Sequence, residues 1–545
     1  ARKDYAIGDA RYCHDVLKAQ GVRARELKTK IGVNVLNDLP RQSYVEFVLQ
    51  FQATVFGVGV NTGKIDSAVD AVMEVHDEQI AVALSYGLFK VVKNDRGYST
   101  NSAKMTEMLQ RAIDLVGIDH PTTKSGKLST AKLAMETMFD AMDYALSYKR
   151  NLDHKLPLSD EDVAELAGIQ AAFKSKQKAD GAWKEKKTFL DALRNASLNP
   201  DSRLRYTYNG LMETGRTSSK NPNIQNIPRK GAARSCIKPR DGHLFIIADY
   251  SNAELRTLAQ AHINEGRASR LAVEYQKDAN FDPHLFMAVQ IIGNMPYEEG
   301  QGILSDKTHA RYAEVKENRQ LSKIANFGYA GGLGAEQFID YAKGYGVTLT
   351  SERSAELRDQ WLTTWAEMDD YFQTRGEMLQ GAEEADLLDR LETQKVSGKA
   401  RRRKEVSARD YACIYRFGAS SRARYLRKFT IACNTPFQGI ASDGAKDALI
   451  LIWEECFFTP DSPIYGCTPV LFIHDEVALE YRFDGDTVKA TKAAERVQEL
   501  MEQGMCNHTP DIPAVAEPNL SWEWTKDAES EWLEDGTLSI YGEQA

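Results

Sequence analysis

The segment LFIHDEVALE at residues 471–480 constrains the fold more than any other part of the sequence. Short apolar runs on either side of His474, Asp475 and Glu476 predict the two arms of a β-hairpin. The turn would hold both carboxylates rigidly at the rim of a buried sheet. Paired carboxylates in such a place can serve acid–base catalysis on a sugar, metal binding or a structural ion pair, and a plain polar turn is a fourth interpretation. The motif alone leaves all four open.

A second apolar run, LFIIA at residues 244–248, ends at Asp249, and residues 251–262 then take up helical spacing. We therefore expect Asp249 at the end of a strand. Glu254 stands three residues after Ser251, which is the spacing of a capping box at the start of this helix.

Arg319, Lys323 and Phe327 recur every four residues within a predicted helix at 308–328. Side chains at this spacing share one helix face, with about 6 Å of rise between neighbours. Two cations followed by an aromatic ring suit a triphosphate followed by a nucleobase or its sugar. The alternative is a solvent-exposed face on which Glu317 pairs across the turn.

A chain of 545 residues exceeds what one hydrophobic core usually organises, so we expect two or more subdomains, with roughly the first 200 residues mainly helical. No apolar stretch approaches the length of a membrane span, and no membrane partner is expected. The seven cysteines are scattered and contain no Cys-x-x-Cys pair. This argues against a disulfide framework or a zinc site and favours a reducing, cytoplasmic setting.

The net charge of -9 conceals two basic segments. Residues 201–240 carry nine Arg or Lys against two acids, and residues 395–428 carry twelve against two. Together they indicate a groove lined for a polyanion, although solvated helix faces would give the same counts. Residues 526–545 carry six acids against one lysine, which predicts a solvated tail open to a protein partner.

Five motifs then occur in the order and approximate spacing of one known family: TGRTSSKNPNIQNIPR (214–229), ADYSNAELR (248–256), RQLSKIANFG (319–328), NTPFQGIASDGAK (434–446) and IHDEV (473–477). The chain resembles the polymerase module of a family A DNA polymerase, the polymerase I type that includes many phage enzymes. The similarity covers roughly residues 57–526. It implies an α+β right-hand fold, in which an antiparallel sheet forms the palm and helices form the fingers and thumb. Departures from the usual motifs favour a phage origin.

By this resemblance the chain divides into six parts. They are the end of a 3′–5′ exonuclease domain with a linker (1–55), the thumb and its base with an insertion near 157–200 (56–205), the first part of the palm (206–265), the fingers (266–435), the second part of the palm (436–525) and the acidic tail (526–545).

The resemblance also implies an activity, template-directed addition of dNTPs to a DNA primer with release of pyrophosphate, and two Mg²⁺ ions as cofactors. Asp249, Asp475 and the backbone carbonyl of Tyr250 would bind the ions, with Glu476 in support. Lys323 would be the general acid that protonates pyrophosphate.

The remaining site residues fall into two sets by resemblance. Those expected to contact the nucleotide are Arg319 and Lys323 on the phosphates, Phe327 on the base or sugar, Glu254 as a gate against the ribose 2′-hydroxyl, and His284 on the phosphates. His284 begins a helix, where a lone histidine is more often structural. Those expected to contact the minor groove or primer end are Arg216, Asn223, Gln225, Asn434, Gln438 and His474.

Three positions depart from the family pattern. Gly331 replaces a tyrosine that partners the sugar gate, and Tyr329 would point elsewhere on the helix. Thr430 replaces an arginine for which Arg427 could substitute from the previous turn. Phe327 in place of tyrosine predicts poor acceptance of dideoxynucleotides.

Residues 5–17 resemble the last Tyr-x-x-x-Asp motif of the exonuclease domain, with Tyr5 and Asp9 as the matching residues. The earlier acidic motif does not occur in the sequence, so we expect no proofreading by this chain alone.

Four rival functions remain to be weighed. A single-subunit RNA polymerase shares the hand-like palm but is opposed by Glu254, and a reverse transcriptase would differ in template preference. A catalytically inactive DNA-binding or scaffold protein would have no need of both aspartates. A glycosidase would leave Arg319 and Lys323 unexplained.

Overall fold

The computed structural model describes residues 15, 18–22, 24–25, 38–123, 125–152, 156–210, 212, 214–228, 231–293, 295–384, 414–417, 422–425, 428–525 and 528–542. The predictions for Tyr5, Asp9 and Arg427, and those for most of the basic segment 395–428, lie outside these residues.

In chain order the helices are α1 (Leu39–Phe51), α2 (Thr62–Ser85), α3 (Ser102–Val116), α4 (Lys132–Tyr148), α5 (Asp160–Glu185), α6 (Asp191–Ser197), α7 (Ala232–Ser235), α8 (Ala253–Asn264), α9 (Arg270–Lys277), α10 (Pro283–Ile292), α11 (Tyr297–Ser305), α12 (Tyr312–Ala330), α13 (Ala335–Lys343), α14 (Ser351–Thr364), α15 (Glu367–Glu384), α16 (Phe429–Phe458) and α17 (Thr487–Cys506). The strands are β1 (Val58–Gly59), β2 (Phe89–Val91), β3 (Tyr98–Thr100), β4 (Arg203–Leu204), β5 (Thr207–Asn209), β6 (Ser218–Lys220), β7 (His243–Tyr250), β8 (Ile414–Phe417), β9 (Arg422–Tyr425), β10 (Thr468–Ile473), β11 (Glu476–Arg482), β12 (Ala516–Ser521) and β13 (Ile540–Tyr541).

A five-stranded sheet in the order β10-β11-β7-β12-β13 forms the centre of the molecule. The first four strands are antiparallel and β13 runs parallel to β12. Residues 244–248 of β7 are all buried. Helix α17 packs on the sheet, and residues of α1, β1 and α2 join the same hydrophobic core. Coverage on both faces explains why this strand is a continuous apolar run rather than an alternating one.

The segment 206–208, at the start of β5, is hydrogen-bonded to the sheet as well as packed on it. The hydroxyls of Tyr206 and Tyr208 donate to the carbonyls of Val470 and Phe472 in β10, at 2.9 and 2.8 Å. Both tyrosines are buried, so these bonds satisfy hydroxyls that water does not reach.

Helix α16 contains the whole motif at 434–446, including Pro436. Lys446, at the end of one motif, is fully buried and donates to the side chain of Gln42 and the carbonyl of Gly210 at 3.1 and 2.8 Å. Asp443 accepts from Arg41 at 2.9 Å. The contacts of Asp443 and Lys446 therefore hold α16 against α1.

Two further cores are helical, as expected for an α+β protein. One joins residues of α2–α5, and the other joins α8–α10 with α12–α16. Where the structure describes the first 200 residues, they are mainly helical, as predicted, with the short strands β1–β3 among them. In the described part of the chain, no helix is both long and apolar enough to cross a bilayer.

The prediction of a solvated acidic tail is wrong for residues 528–542. Strand β13 pairs with β12, Leu538 is 1 % exposed, and its backbone N–H donates to the hydroxyl of Thr491 in α17 at 3.0 Å. The acids Glu529, Glu531, Glu534 and Asp535 stay on the surface, but Ala528 and Leu538 on either side of them are buried and anchor the segment.

We expect Leu538→Ala to lower the free energy of unfolding by about 2–4 kcal/mol, because it removes a fully buried side chain and leaves a cavity. Leu533→Ala is the matched control, since Leu533 lies on the same segment but is 46 % exposed. Urea denaturation of both variants measures the difference. Equal, small losses in the two variants would contradict the buried position of Leu538.

Candidate active site

The hairpin predicted from LFIHDEVALE is present, with β10 and β11 as its arms. Pairing of β11 with β7 places Glu476 opposite Asp249, and Asp475 precedes Glu476 in the turn. Residues paired across antiparallel strands have Cα atoms about 4.5–5.5 Å apart. The register therefore brings Asp249 and Asp475, which are 226 positions apart in the sequence, to the same end of the sheet.

His474 occupies the turn with φ +61°, a left-handed conformation uncommon outside glycine. This conformation lets the chain reverse sharply, and the His474 side chain is exposed. Asp249 and Asp475 are both half-buried. Two carboxylates thus meet solvent at the rim of a rigid sheet.

Glu476 is 3 % exposed and lies behind this rim. The indole N–H of Trp524, itself fully buried, donates to its Oε1 at 2.7 Å. The guanidinium of Arg234 lies 3.7 Å from the centre of the indole ring. Sequence reasoning missed Trp524 and Arg234. The hydrogen bond between Trp524 and Glu476 joins positions 48 residues apart, and the only signal for it was that a buried indole needs an acceptor.

The side chain of Tyr250 points into the core, where its hydroxyl donates to the carbonyl of Met501 at 2.5 Å. Burial raises the pKa of Tyr250 well above its usual value, and the nearby Asp475, Cys506, Glu502 and Asp447 raise it further. The phenol therefore stays protonated, and a metal contact from this residue would have to use its backbone carbonyl.

The donors that Asp249, Asp475 and the carbonyl of Tyr250 offer at the rim are oxygens. In the regions that the structure describes, no group of three or more His, Cys, Asp and Glu side chains is close enough together to hold a metal ion. Two aspartates and a carbonyl, completed by water and phosphate oxygens, match the way Mg²⁺ is usually held in phosphoryl-transfer sites. The residues present fit that cation.

Helix α12 carries the predicted cations, with Lys323 exposed and Arg319 38 % exposed. Arg319 donates from Nε to Oδ2 of Asp282 at 2.6 Å. The other oxygen of Asp282 caps helix α10 by accepting from the backbone N–H groups of His284 and Leu285. One carboxylate thus orients both the arginine and the helix that carries His284.

His284 is 1 % exposed, and its ring centre lies 5.5 Å from that of Phe327. Its Nδ1 meets the side-chain amide of Asn326 at 3.0 Å. Burial lowers the pKa of His284, against an opposing effect of Asp282 and with smaller contributions from Arg319 and Lys323. His284 is therefore a neutral group beneath the face of Phe327.

The predicted capping box at Ser251 is wrong. Helix α8 begins at Ala253 after Asn252, whose φ of +55° places the helix start one residue later than the box needs, and no side chain caps it. Glu254 forms an ion pair with Arg216 instead. The pKa of Tyr341 is raised mainly by burial and by Tyr345, and Glu254 makes a smaller contribution in the same direction. The carboxylate of Glu254 is therefore directed toward Arg216 and Tyr341 rather than back toward its own helix.

Gly331 ends α12, and its carbonyl accepts from the side-chain amide of Asn434 at 3.0 Å. A Cβ at this position would meet that amide nitrogen at 2.9 Å, so a tyrosine would have to displace Asn434. Tyr329 is buried, donates to the carbonyl of Ser354 and stacks on Phe338. The prediction that Tyr329 points away from the Gly331 position is confirmed.

The remaining candidates are linked to these elements. Gln438 donates to Asn434 at 3.1 Å, and Gln225 donates to the hydroxyl of Thr217 at 2.7 Å and to the carbonyl of Phe472 at 3.4 Å. Asn223 accepts from Ser219 at 3.0 Å. The loop with Arg216, Asn223 and Gln225 is therefore fixed against β10, next to the hairpin turn.

Much of the basic segment 201–240 is paired within the protein. Arg203 and Arg240 both contact Glu480, which is fully buried, and Arg205 and Lys238 each pair with a nearby aspartate. The net count of this segment therefore overstates the positive charge it presents to a ligand.

Residues 98–526 match the profile of DNA polymerase family A, which covers well over half of the chain. The chain belongs to the family A DNA polymerases. Among bacterial members, DNA polymerase I of Aquifex aeolicus is 26 % identical over 390 residues, which cover 69 % of this chain and 54 % of that protein. DNA polymerase I of Deinococcus radiodurans is 29 % identical over 333 residues, which cover 58 % and 28 %. This family A chain spans about half or less of the length of these relatives.

The fold is shared with a solved structure, the POL domain of Pol1 from M. smegmatis in complex with DNA primer-template and dNTP. The TM-score is 0.57 at 20 % identity, covering 94 % of this chain and 73 % of that chain. The right-hand polymerase fold predicted for this family A chain is confirmed. The fifth strand β13, which runs parallel to β12, is an addition to the antiparallel sheet that was predicted.

We expect the stability of this polymerase to fall as pH drops from about 6.5 toward 4. His262 in α8 is buried against Tyr371, and burial lowers its pKa from 6.5 to about 4, with Glu265 opposing and Arg267 and Arg375 adding smaller effects. A group with a depressed pKa binds its proton first in the unfolded chain, so its contribution is complete above pH 6.5 and is lost below it. The expected loss in the free energy of unfolding is on the order of 2–3 kcal/mol.

Urea midpoints of wild type and His262→Gln at pH 7.5 and 4.5 measure this effect, and the variant should show a smaller decrease. His309→Gln, at an exposed histidine, is the control and should behave like wild type. An unchanged decrease in His262→Gln would show that another group is responsible.

Proposed function

We propose that this chain extends the 3′ end of a DNA primer with dNTPs on a DNA template and releases pyrophosphate. The observation that carries the proposal is the β7–β11 register, which brings Asp249 and Asp475 to one end of the sheet. Family membership supports it, as does the shared fold with a POL domain that binds primer-template and dNTP.

Asp249, Asp475 and the carbonyl of Tyr250 would hold two Mg²⁺ ions. When bound, the ions activate the primer 3′-hydroxyl and offset the charge that develops on the α-phosphate. The aspartates hold their oxygens at fixed positions because the sheet is buried on both faces. Catalysis by this chain is then mainly positioning and electrostatics.

Helix α12 would bind the triphosphate. Arg319 contacts the outer phosphates, and Lys323 donates a proton to the departing pyrophosphate. Asp282 keeps the guanidinium of Arg319 oriented until the phosphates arrive. Phe327, whose ring centre lies 5.5 Å from that of the neutral His284, would contact the base or sugar. By resemblance to the family, phenylalanine in place of tyrosine here should disfavour dideoxynucleotides.

Glu254 would select deoxynucleotides, because by resemblance to the family its carboxylate would close off the space that a ribose 2′-hydroxyl needs. Its ion pair with Arg216 holds it in place without a tyrosine at position 331. His284 would act on the phosphates only through its neighbours, because it is buried.

Arg216, Asn223, Gln225, Asn434, Gln438 and His474 would contact the minor groove or primer end. Acceptors at purine N3 and pyrimidine O2 occur in every correct base pair, so donors here test shape without reading sequence. The domain boundaries, the lack of proofreading, the cytoplasmic setting and the phage origin stay predictions; the relatives named above are bacterial.

Asp249→Asn and Asp475→Asn should each reduce primer extension by about 10³-fold or more, since each removes a metal-binding charge worth several kcal/mol to the transition state. Asp241→Asn, a change at a fully solvent-exposed turn, is the control and should stay near wild type. Single-turnover extension of a labelled primer, with and without Mg²⁺, measures the rate. Near-normal extension by either site variant would refute the proposal, while retained DNA binding would show that the variant is folded.

Glu254→Ala should raise the incorporation of NTPs relative to dNTPs by about tenfold or more, which corresponds to about 1.4 kcal/mol of discrimination. Glu336→Ala, at an exposed position on α13, should leave the ratio unchanged. The ratio of kcat/KM values on a DNA template also separates the rival polymerases. A wild-type preference for NTPs would favour an RNA polymerase, and a preference for RNA templates would favour a reverse transcriptase.

A further inference from the structure

Behind the two aspartates lies a buried contact that the proposed mechanism does not use. Trp524 is fully buried, and its indole N–H donates to Oε1 of Glu476 at 2.7 Å. Glu476 is the cross-strand partner of Asp249 and directly follows Asp475. A change in the position of this carboxylate would therefore be transmitted to both aspartates.

Trp524 is itself held on three sides. Its backbone N–H donates to the carbonyl of Ile237 at 3.2 Å, and its ring is part of the core around the central sheet. The guanidinium of Arg234, which is 5 % exposed, lies 3.7 Å from the ring centre. A cation over an indole face is attracted by the ring quadrupole, and linked polar groups polarise one another. Arg234 therefore strengthens the N–H as a donor.

The chemistry of the donor matters because Glu476 is a buried carboxylate beside a cation site. An indole N–H compensates part of the burial without carrying a charge.

We propose that Trp524 is a positioning residue that holds the Glu476 carboxylate in the orientation at which its charge supports Mg²⁺ at Asp249 and Asp475. This inference rests on the proposed function and adds to it a residue outside the motifs. It assigns Arg234 to the support of Trp524.

Trp524→Phe tests the inference, because it removes the N–H and keeps an aromatic ring for Arg234. We expect the rate of primer extension at limiting Mg²⁺ to fall about tenfold, as for loss of one hydrogen bond to a charged group. We also expect a rise in the Mg²⁺ midpoint, which is the Mg²⁺ concentration that gives half of the maximal rate. Trp522→Phe is the matched control. Trp522 lies two residues away, is half-buried, and packs on Phe483 with ring centres 5.6 Å apart, so its change should leave the Mg²⁺ midpoint unaltered.

A double-mutant cycle with Glu476→Ala separates positioning from a general packing role. If Trp524 acts through Glu476, Trp524→Phe has no further effect on the Mg²⁺ midpoint once Glu476 is alanine. The same shift in both backgrounds would overturn the inference. So would a Trp524→Phe enzyme that matches Trp522→Phe in rate and midpoint.

Glu476→Gln tests the same idea without altering Trp524, should Trp524→Phe fail to fold. Glutamine keeps an acceptor for the indole and removes the charge, so the Mg²⁺ midpoint should rise; an unchanged midpoint would overturn the inference. The two proposals fail differently. Active Asp249→Asn or Asp475→Asn enzymes would defeat the proposed function, whereas inactive aspartate variants with an additive cycle would defeat only the role of Trp524.

Discussion

The pairing of Asp249 with Glu476 across β7 and β11 is the constraint on which the rest of the site depends. A shift of one residue in this register would turn every side chain of one strand to the opposite face of the sheet. It would carry acidic side chains into an apolar layer and move apolar ones to the rim, at a large cost in desolvation. The hydrophobic core therefore fixes the geometry of the carboxylates, although it contributes no atom to the chemistry.

The cationic side of the site follows a second rule. Arg319 contacts Asp282, and Arg216 contacts Glu254, so that the two arginines proposed to bind ligands have acidic partners. Each acid fixes the direction of a long flexible side chain before a phosphate or a sugar reaches it. Under the proposed function, a phosphate at Arg319 would replace the Asp282 carboxylate as the anionic partner, which would lower the entropic cost of binding. The pair of Arg216 with Glu254 would stay in place.

The sequence predicted the elements that local pattern determines. The hairpin, the strand ending at Asp249 and the helix with Arg319 follow from short apolar runs and regular spacing, and all three are present. The prediction of a capping box was wrong because Asn252 takes a left-handed conformation and α8 begins one residue later. The spacing of Ser251 and Glu254 does not reveal this backbone conformation. The acidic tail failed because charge counts ignore the few apolar residues, such as Leu538, that decide burial. Trp524 was missed since its partner is set by tertiary packing alone.

The strand β13 has a consequence for how the molecule behaves in a crowded solution. It covers the outer side of β12 at Leu520 and Ser521, where backbone groups would otherwise lie along an open edge. Sheet edges of this kind invite strand addition from other chains and lead to aggregation. The outermost strand contains only the two residues Ile540 and Tyr541, so this edge of the sheet offers little template for such pairing. The same segment that stabilises the fold thus also protects it from self-association.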